Sequence, residues 1–362
     1  MNPYPNLPWL TQQRAEVRAL PGRGIHAVLL YGPRGIGKKS LALDAAVDLL
    51  CERPRADGQA CGACTGCVLA GADNHPDLRV VVPAALAAWR VVGSSEESEA
   101  EPEESGTDEP ADKRESRDIR IDQVRDLADF FGIATHRGGR RLIVLAPADA
   151  LNGDAANAAL KTLEEPPPET FFILTSDAID DVLPTVRSRC MLYRVSAPAS
   201  DACTPWLKAQ GLEAPADRLA AAGGAPLDAL AEASDEAAEL VLPSLMRWLE
   251  QAGRPGLGAI GGLKISKAFA AEVAIRAFQR WGWDLLAHRS GAAVRYHPSG
   301  LGAIGALAVR VLSDRALLDW QQHLARLRRE AGHPALNAKA LIEEALIGYV
   351  RLFSKQSPPS AR

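Results

Sequence analysis

Short continuous apolar runs alternate with longer stretches of helical spacing through the first half of the chain. Residues 27–31, 141–145, 171–175 and 191–195 read as strands, and a further strand ends near Pro83. Helices are expected between them. One opens after the first strand and runs amphipathically to Leu50, one starts near Ile121, and one passes through 157–165 until Pro166 and Pro167 stop it, since proline cannot continue the hydrogen-bond ladder. This alternation predicts an α/β domain with a parallel sheet over residues 1–197. Residues 198–240 are Ala-rich with helical spacing and fit a small helical domain; after Leu242-Pro243 the chain is wholly helical through 241–355, with a flexible tail at 356–362. Leu341, Ile342, Ala345, Leu346, Tyr349 and Phe353 fall on one face of the last helix. Packing against a partner and packing within the chain would give the same pattern. Trp281, Trp283, Trp320 and Tyr296 read as core or subunit-contact residues, not as a base-stacking platform.

The turn after the first strand reads Gly32-Pro33-Arg34-Gly35-Ile36-Gly37-Lys38-Lys39-Ser40. It has the glycines and lysine of a phosphate-binding loop, G-x-x-x-x-G-K-[ST], in which backbone N–H groups and the lysine hold phosphates and the hydroxyl ligates magnesium. Here Lys39 stands where that hydroxyl belongs. Ser40 does not substitute easily, because one helical step turns a side chain by about 100°. A working ATP site also needs an acid directly after the 141–145 strand, but Ala146 and Pro147 stand there; Asp149 lies further on and is expected to cap the following helix. Gly32, Gly35, Gly37 and Lys38 thus form a degenerate phosphate loop: nucleotide binding is doubtful and hydrolysis is not expected.

Four of the six cysteines are spaced C-x9-C-x2-C-x2-C: Cys51, Cys61, Cys64 and Cys67. Such a cluster suits a closed tetrahedral thiolate site for structural zinc. Cys51 would come from the end of the phosphate-loop helix and the rest from a loop turned by Gly62 and Gly66, giving a zinc module at 51–67. The start of the chain lacks the basic and apolar regions of a signal peptide and no run of 18 apolar residues occurs, so a cytoplasmic protein without a membrane segment is expected. The net charge of −4 misleads. Nine acidic and no basic residues lie between Glu96 and Asp112, and without them 41 basic residues face 36 acidic ones. That excess permits nonspecific contact with nucleic acid without arguing for it. The Glu-, Ser- and Pro-rich stretch 93–118 reads as a flexible acidic insertion.

The middle of the chain carries two specific motifs, Leu160-Lys161-Thr162-Leu163-Glu164-Glu165-Pro166-Pro167 and Ser188-Arg189-Cys190. With the phosphate loop and the cysteine insertion before them, residues 7–198 resemble the delta-prime family of bacterial DNA polymerase III clamp-loader subunits. The resemblance implies an AAA+ fold with a helical lid and an all-α collar that joins a five-membered ring. It also implies motor (gamma/tau) and delta subunits as partners, and a sliding clamp loaded onto primed DNA. The arginine of the S-R-C motif, here Arg189, would act in trans on ATP held by a neighbouring motor subunit. Arginine fingers accelerate phosphoryl transfer by roughly 10³–10⁵. Thr175 matches a polar sensor position, for which a plain core role is equally open, and Leu227 stands where motor subunits carry a sensor arginine. Two other readings are an active AAA+ motor, which would need the missing magnesium ligands, and a zinc-dependent DNA-binding protein outside replication. The short basic cluster at Arg137, Arg140 and Arg141 supports the latter poorly.

Overall fold

The computed structural model describes residues 6–84, 86, 118–132, 135, 139–251, 271–331 and 337–353. Apart from Asp118, the acidic insertion lies outside these residues, as does the 356–362 tail. The chain divides into two compact units at the Ala197–Pro198 junction.

A five-stranded, wholly parallel sheet organises the first unit, in the order β2 (Leu78–Val81), β3 (Arg141–Leu145), β4 (Thr170–Ser176), β1 (Ala27–Tyr31), β5 (Met191–Arg194). Both β3 and β4 are buried along their whole length, as central strands covered on two faces must be. Side chains alternate between faces along a strand. Ala27 and Leu29, Ile143 and Leu145, and Phe172 and Leu174 therefore share one core with α4 (Ile121–Gly132) and α5 (Gly153–Glu164). Against β3 and β4 also lies α2 (Lys38–Leu50), which packs in turn on α1 (Thr11–Ala19). Covered in this way, α2 is buried along most of its length and does not show the amphipathic pattern expected: Leu41 through Ala46 and Asp48 are all buried. Its two carboxylates, Asp44 and Asp48, face buried Arg14 from α1.

Among the described residues, the regular structure of the second unit is helical: α7 (Ser200–Ala209), α8 (Pro215–Ala221), α9 (Pro226–Ser234), α10 (Glu236–Gln251), α11 (Ala271–Arg289), α12 (Leu301–Ala308), α13 (Asp314–Glu330) and α14 (Ala338–Arg351). The expected boundary at 240/241 falls inside α10, whose Ala238 and Val241 join the same core as α11 to α14. The break in helix structure comes at Asp235 instead. The apolar face of α14 packs within the chain: Tyr349 is fully buried, accepts from Trp281 Nε1 at 2.8 Å and donates to the Leu249 carbonyl at 2.9 Å. Trp320 is buried too, in a slot that glycine makes, since a Cβ at Gly282 or Gly348 would lie 2.7 Å from its ring. Trp283, half exposed, is not a core residue. No described helix is long and apolar enough to cross a membrane.

Candidate functional site

Three constellations carry the chemistry of the first unit. The phosphate loop joins β1 to α2 at the C-terminal edge of the sheet. Gly35 and Gly37 hold φ of 75° and 97°, conformations that cost an L side chain strain. Gly32 is fixed by packing: a Cβ there would lie 2.0 Å from the Val195 carbonyl oxygen. Lys38 is buried and turned back on its own loop. Its Nζ donates to the carbonyls of Gly32 at 2.9 Å and Pro33 at 2.6 Å, and lies 2.5 Å from Asp177 Oδ1. Trp9 covers the turn, its indole donating to the Ile36 carbonyl at 2.9 Å. Lys39 follows Lys38, and Ser40 is buried behind it.

Asp149 does not cap α5, contrary to expectation. Asn152 does, accepting from the Ala155 amide at 2.8 Å, because the short 3₁₀ turn Ala148–Ala150 places Asp149 one turn too early. Asp149 instead accepts from the Asp177 amide at 3.3 Å, and burial raises its pKa, with the charge of Asp177 adding. Thr175 is a buried β4 residue in register with Leu30.

The four cysteines converge. Cys51 ends α2, and Cys64 and Cys67 open α3 (Thr65–Gly71). All four sulfurs lie within 4.8 Å of one another, with Cys51–Cys64 at 3.8 Å and Cys61–Cys67 at 3.9 Å. A tetrahedron with metal–sulfur bonds of about 2.3 Å has edges of about 3.8 Å, so the donor set fits a four-coordinate metal. Backbone N–H groups point at the sulfurs, Cys61 at Cys51 (3.3 Å), Cys64 at Cys61 (3.2 Å) and Cys67 at Cys64 (3.4 Å). Burial works against a Cys64 thiolate, yet the Cys67 and Glu52 amides bring its pKa to about 6; burial and the Cys64 thiol push Cys67 to about 12. Cys190 and Cys203 lie outside the cluster. Gly62 makes a turn at φ 75°, but Gly66 sits inside α3, where a Cβ would meet the Leu50 carbonyl at 2.8 Å. A residue that sequence reasoning did not single out ties the module down: fully buried Asp48 accepts from the Ala60 amide at 2.6 Å while holding Arg14 and Arg18.

Arg189 lies between α6 (Pro184–Arg187) and β5. Because all strands are parallel, the start of β5 is at the sheet edge opposite the phosphate loop. Four β5 residues span about 13 Å at roughly 3.3 Å each. The structure therefore does not bring Arg189 together with Gly32, Gly35, Gly37 and Lys38. Its partner is Glu164 at the end of α5: Nε donates to Oε1 at 2.6 Å and Nη2 reaches the same oxygen. Nη1 donates to the Thr185 carbonyl at 2.7 Å and to Ser188 Oγ at 3.2 Å. Glu164 and Asp177 had no assigned part in the sequence reading; a lysine and an arginine without stated counter-charges were the signal for both.

A five-stranded parallel sheet with flanking helices and a four-cysteine cluster that could hold a metal define the class: an α/β protein with a candidate metal site. Residues 13–199 match the family model described as "DNA polymerase III, delta subunit", and the chain belongs to that family. It is similar to DNA polymerase III subunit delta' of Pseudomonas aeruginosa, 40% identical over 228 residues that cover 61% of this chain and 60% of the relative. It is also similar to the subunit delta' of Haemophilus influenzae, 32% identical over 52% of this chain and 48% of the relative. Against that of Escherichia coli K12 it is 30% identical over 55% and 52%. The chain thus spans about half to three-fifths of the length of these relatives. Among solved structures, a DNA polymerase III gamma subunit-related protein of Thermotoga maritima aligns over 95% of this chain and 99% of its own, with a TM-score of 0.45 and 14% identity.

Proposed function

We propose that this chain is a non-hydrolysing clamp-loader subunit of the DNA polymerase III holoenzyme that supplies Arg189 to ATP held by a neighbouring motor subunit. The observation that carries the reading is the placement of Arg189 on the sheet edge opposite its own phosphate loop. A guanidinium there is remote from its own loop and, at 28% exposure, can be reached by a neighbour. The state of the loop supports the other half: Lys38 is neutralised by Asp177, and buried Ala146 follows β3 where a magnesium-holding acid would stand. Electrostatic stabilisation of the transferring phosphoryl group is what such an arginine provides.

On this reading the partners are the gamma/tau motor subunits and the delta subunit, the sliding clamp through the complex, and primer-template DNA without sequence preference. The compartment is the cytoplasm. Cys51, Cys61, Cys64 and Cys67 hold structural zinc, which supplies folding energy and no catalysis. The helices from α7 to α9 form the lid, and those from α10 to α14 form the collar that holds the ring. The chain has no ATPase of its own but belongs to a DNA-directed DNA polymerase assembly.

The test is reconstitution of the full chain with the motor and delta subunits, the clamp and primed DNA. Arg189→Ala is expected to assemble normally and to slow DNA-stimulated ATP hydrolysis. One motor site should lose roughly 10³-fold, and the total should fall only partly. A normal clamp-loading rate in Arg189→Ala, with a loss in Lys38→Ala, would mean that this chain is itself a motor.

A further inference from the structure

The L-K-T-L-E-E-P-P motif has no part in the function as described so far, although it is as specific as the S-R-C motif. The fold joins the two. α5 runs back along the sheet from the C-terminal end of β3, so its last turn comes to the edge where β5 begins. There Glu165 ends the helix and Pro166 and Pro167 forbid another turn, which fixes Glu164 at the helix terminus.

From that terminus Glu164 takes the Nε–Nη2 edge of Arg189 on one carboxylate oxygen, 2.6 Å from Nε. This is the edge with which a guanidinium forks onto carboxylate or phosphate oxygens. The third nitrogen, Nη1, is held separately by the Thr185 carbonyl and Ser188 Oγ. All three nitrogens are therefore engaged within the chain, yet the two sides differ. The Thr185 and Ser188 contacts lie within four residues of Arg189 and can persist whatever the outer edge does. The Glu164 contact is the one a phosphate must replace. Both side chains are partly exposed, Arg189 at 28% and Glu164 at 48%, so an approaching anion can reach the pair.

We infer that Glu164 is a positioning residue for Arg189: it holds the phosphate-binding edge of the guanidinium in cis until a phosphate oxygen on the neighbouring subunit takes the place of its carboxylate. The inference rests on the trans-arginine reading above. It adds that engagement is an exchange of one anion for another, with the Nη1 contacts keeping the arginine in position during the exchange.

Two measurements on the full chain test it. The first uses the isolated protein, with phenylglyoxal modification of Arg189 followed by peptide mass spectrometry. Glu164→Gln keeps the size of the side chain and removes its charge, and should speed Arg189 modification roughly two- to fivefold, the range of a partly exposed ion pair. Equal rates in the wild type and Glu164→Gln would overturn the holding role. The second uses the reconstituted complex. Glu164→Gln should raise ATP hydrolysis without DNA by a similar roughly two- to fivefold factor, because less charge competes with the phosphate. The increase should vanish in the Glu164→Gln/Arg189→Ala double variant. An increase that persists without Arg189 would show that Glu164 acts elsewhere, and a fall in rate would show that it assists and does not compete. If Arg189→Ala alone leaves hydrolysis intact while Glu164→Gln still speeds labelling, the ion pair stands but the trans-arginine reading fails, and the exchange fails with it.

Discussion

Asp48→Ala should unfold the junction between α1, α2 and the cysteine module. The carboxylate is fully buried and takes a two-pronged bond from Arg14, Nε at 2.7 Å and Nη2 at 2.6 Å, a bond from Arg18 at 3.3 Å and the Ala60 amide at 2.6 Å. Burial penalises the Arg14 charge, but Asp48 and Asp44 outweigh it and raise its pKa; a guanidinium is not deprotonated in a protein, so the loss of Asp48 leaves a buried charge. Breaking a buried pair by deleting one partner costs about 3–5 kcal/mol. Asp44 Oδ2 remains 3.4 Å from Arg14 Nη1, which places the expected loss near the lower end, about 3 kcal/mol. Asp48→Asn keeps an acceptor for the Ala60 amide and should cost less, about 2 kcal/mol.

The decisive comparison is the double replacement Arg14→Met/Asp48→Leu. Replacing both charges with apolar groups of similar volume is often neutral or stabilising, so the double variant should be more stable than Asp48→Ala despite carrying more changes. Hydrogen exchange at the α2 amides reads this local stability without the second unit contributing. Metal release to a chelator gives an independent readout, because Ala60 immediately precedes Cys61 and its tether to Asp48 holds the module on α2. Protection in Asp48→Ala within about 1 kcal/mol of the wild type, below any buried-pair cost, would refute the reasoning. So would a double variant as unstable as the single.

The sheet was legible in the sequence because its central strands are buried on both faces, so that Ala27–Leu30 and Leu142–Leu145 are continuous apolar runs. The cysteine cluster was legible because metal geometry tolerates few spacings. What stayed hidden were the partners of charged groups. Nothing in local sequence says that Lys38 meets Asp177, 139 positions away, or that Arg189 meets Glu164, 25 away. Those pairings come from the parallel topology, which brings distant segments to one sheet edge. Local sequence also does not show that Asp44 and Asp48 of α2 are buried, because the group that covers them, Arg14, comes from a separate helix. Asp149 was misplaced for a simpler reason: a three-residue 3₁₀ turn delays the start of α5.

Cys64→Ser should lower bound zinc from about one per chain to substoichiometric by elemental analysis, because a closed tetrathiolate has no spare ligand; full occupancy in that variant would exclude the cluster as the site. Asp284 is buried and accepts from the amides of Arg295, Tyr296 and His297 and from the His297 ring. Burial opposes its charge, yet His297 and the Arg295 and Tyr296 amides lower its pKa. Its contribution should be complete above the unfolded carboxylate value of about 3.9 and lost as pH falls through the lower folded value. Asp284→Asn should accordingly melt below the wild type at pH 7 and lose less stability on acidification, which thermal unfolding against pH would show. Lys38→Ala separates a phosphate ligand from a structural tie. In a working loop the lysine faces nucleotide, and its removal abolishes binding with little effect on the empty protein. Here Lys38 is buried, spans the loop carbonyls of Gly32 and Pro33, and reaches Asp177 beyond β4. Its loss leaves two carbonyls without their charged donor and Asp177 without its counter-ion, a cost of about 1–3 kcal/mol in the first unit. Chemical denaturation should register that loss, and titration with ATP should show no affinity to lose. Unchanged stability together with nucleotide binding that disappears in Lys38→Ala would show that the lysine still serves phosphate.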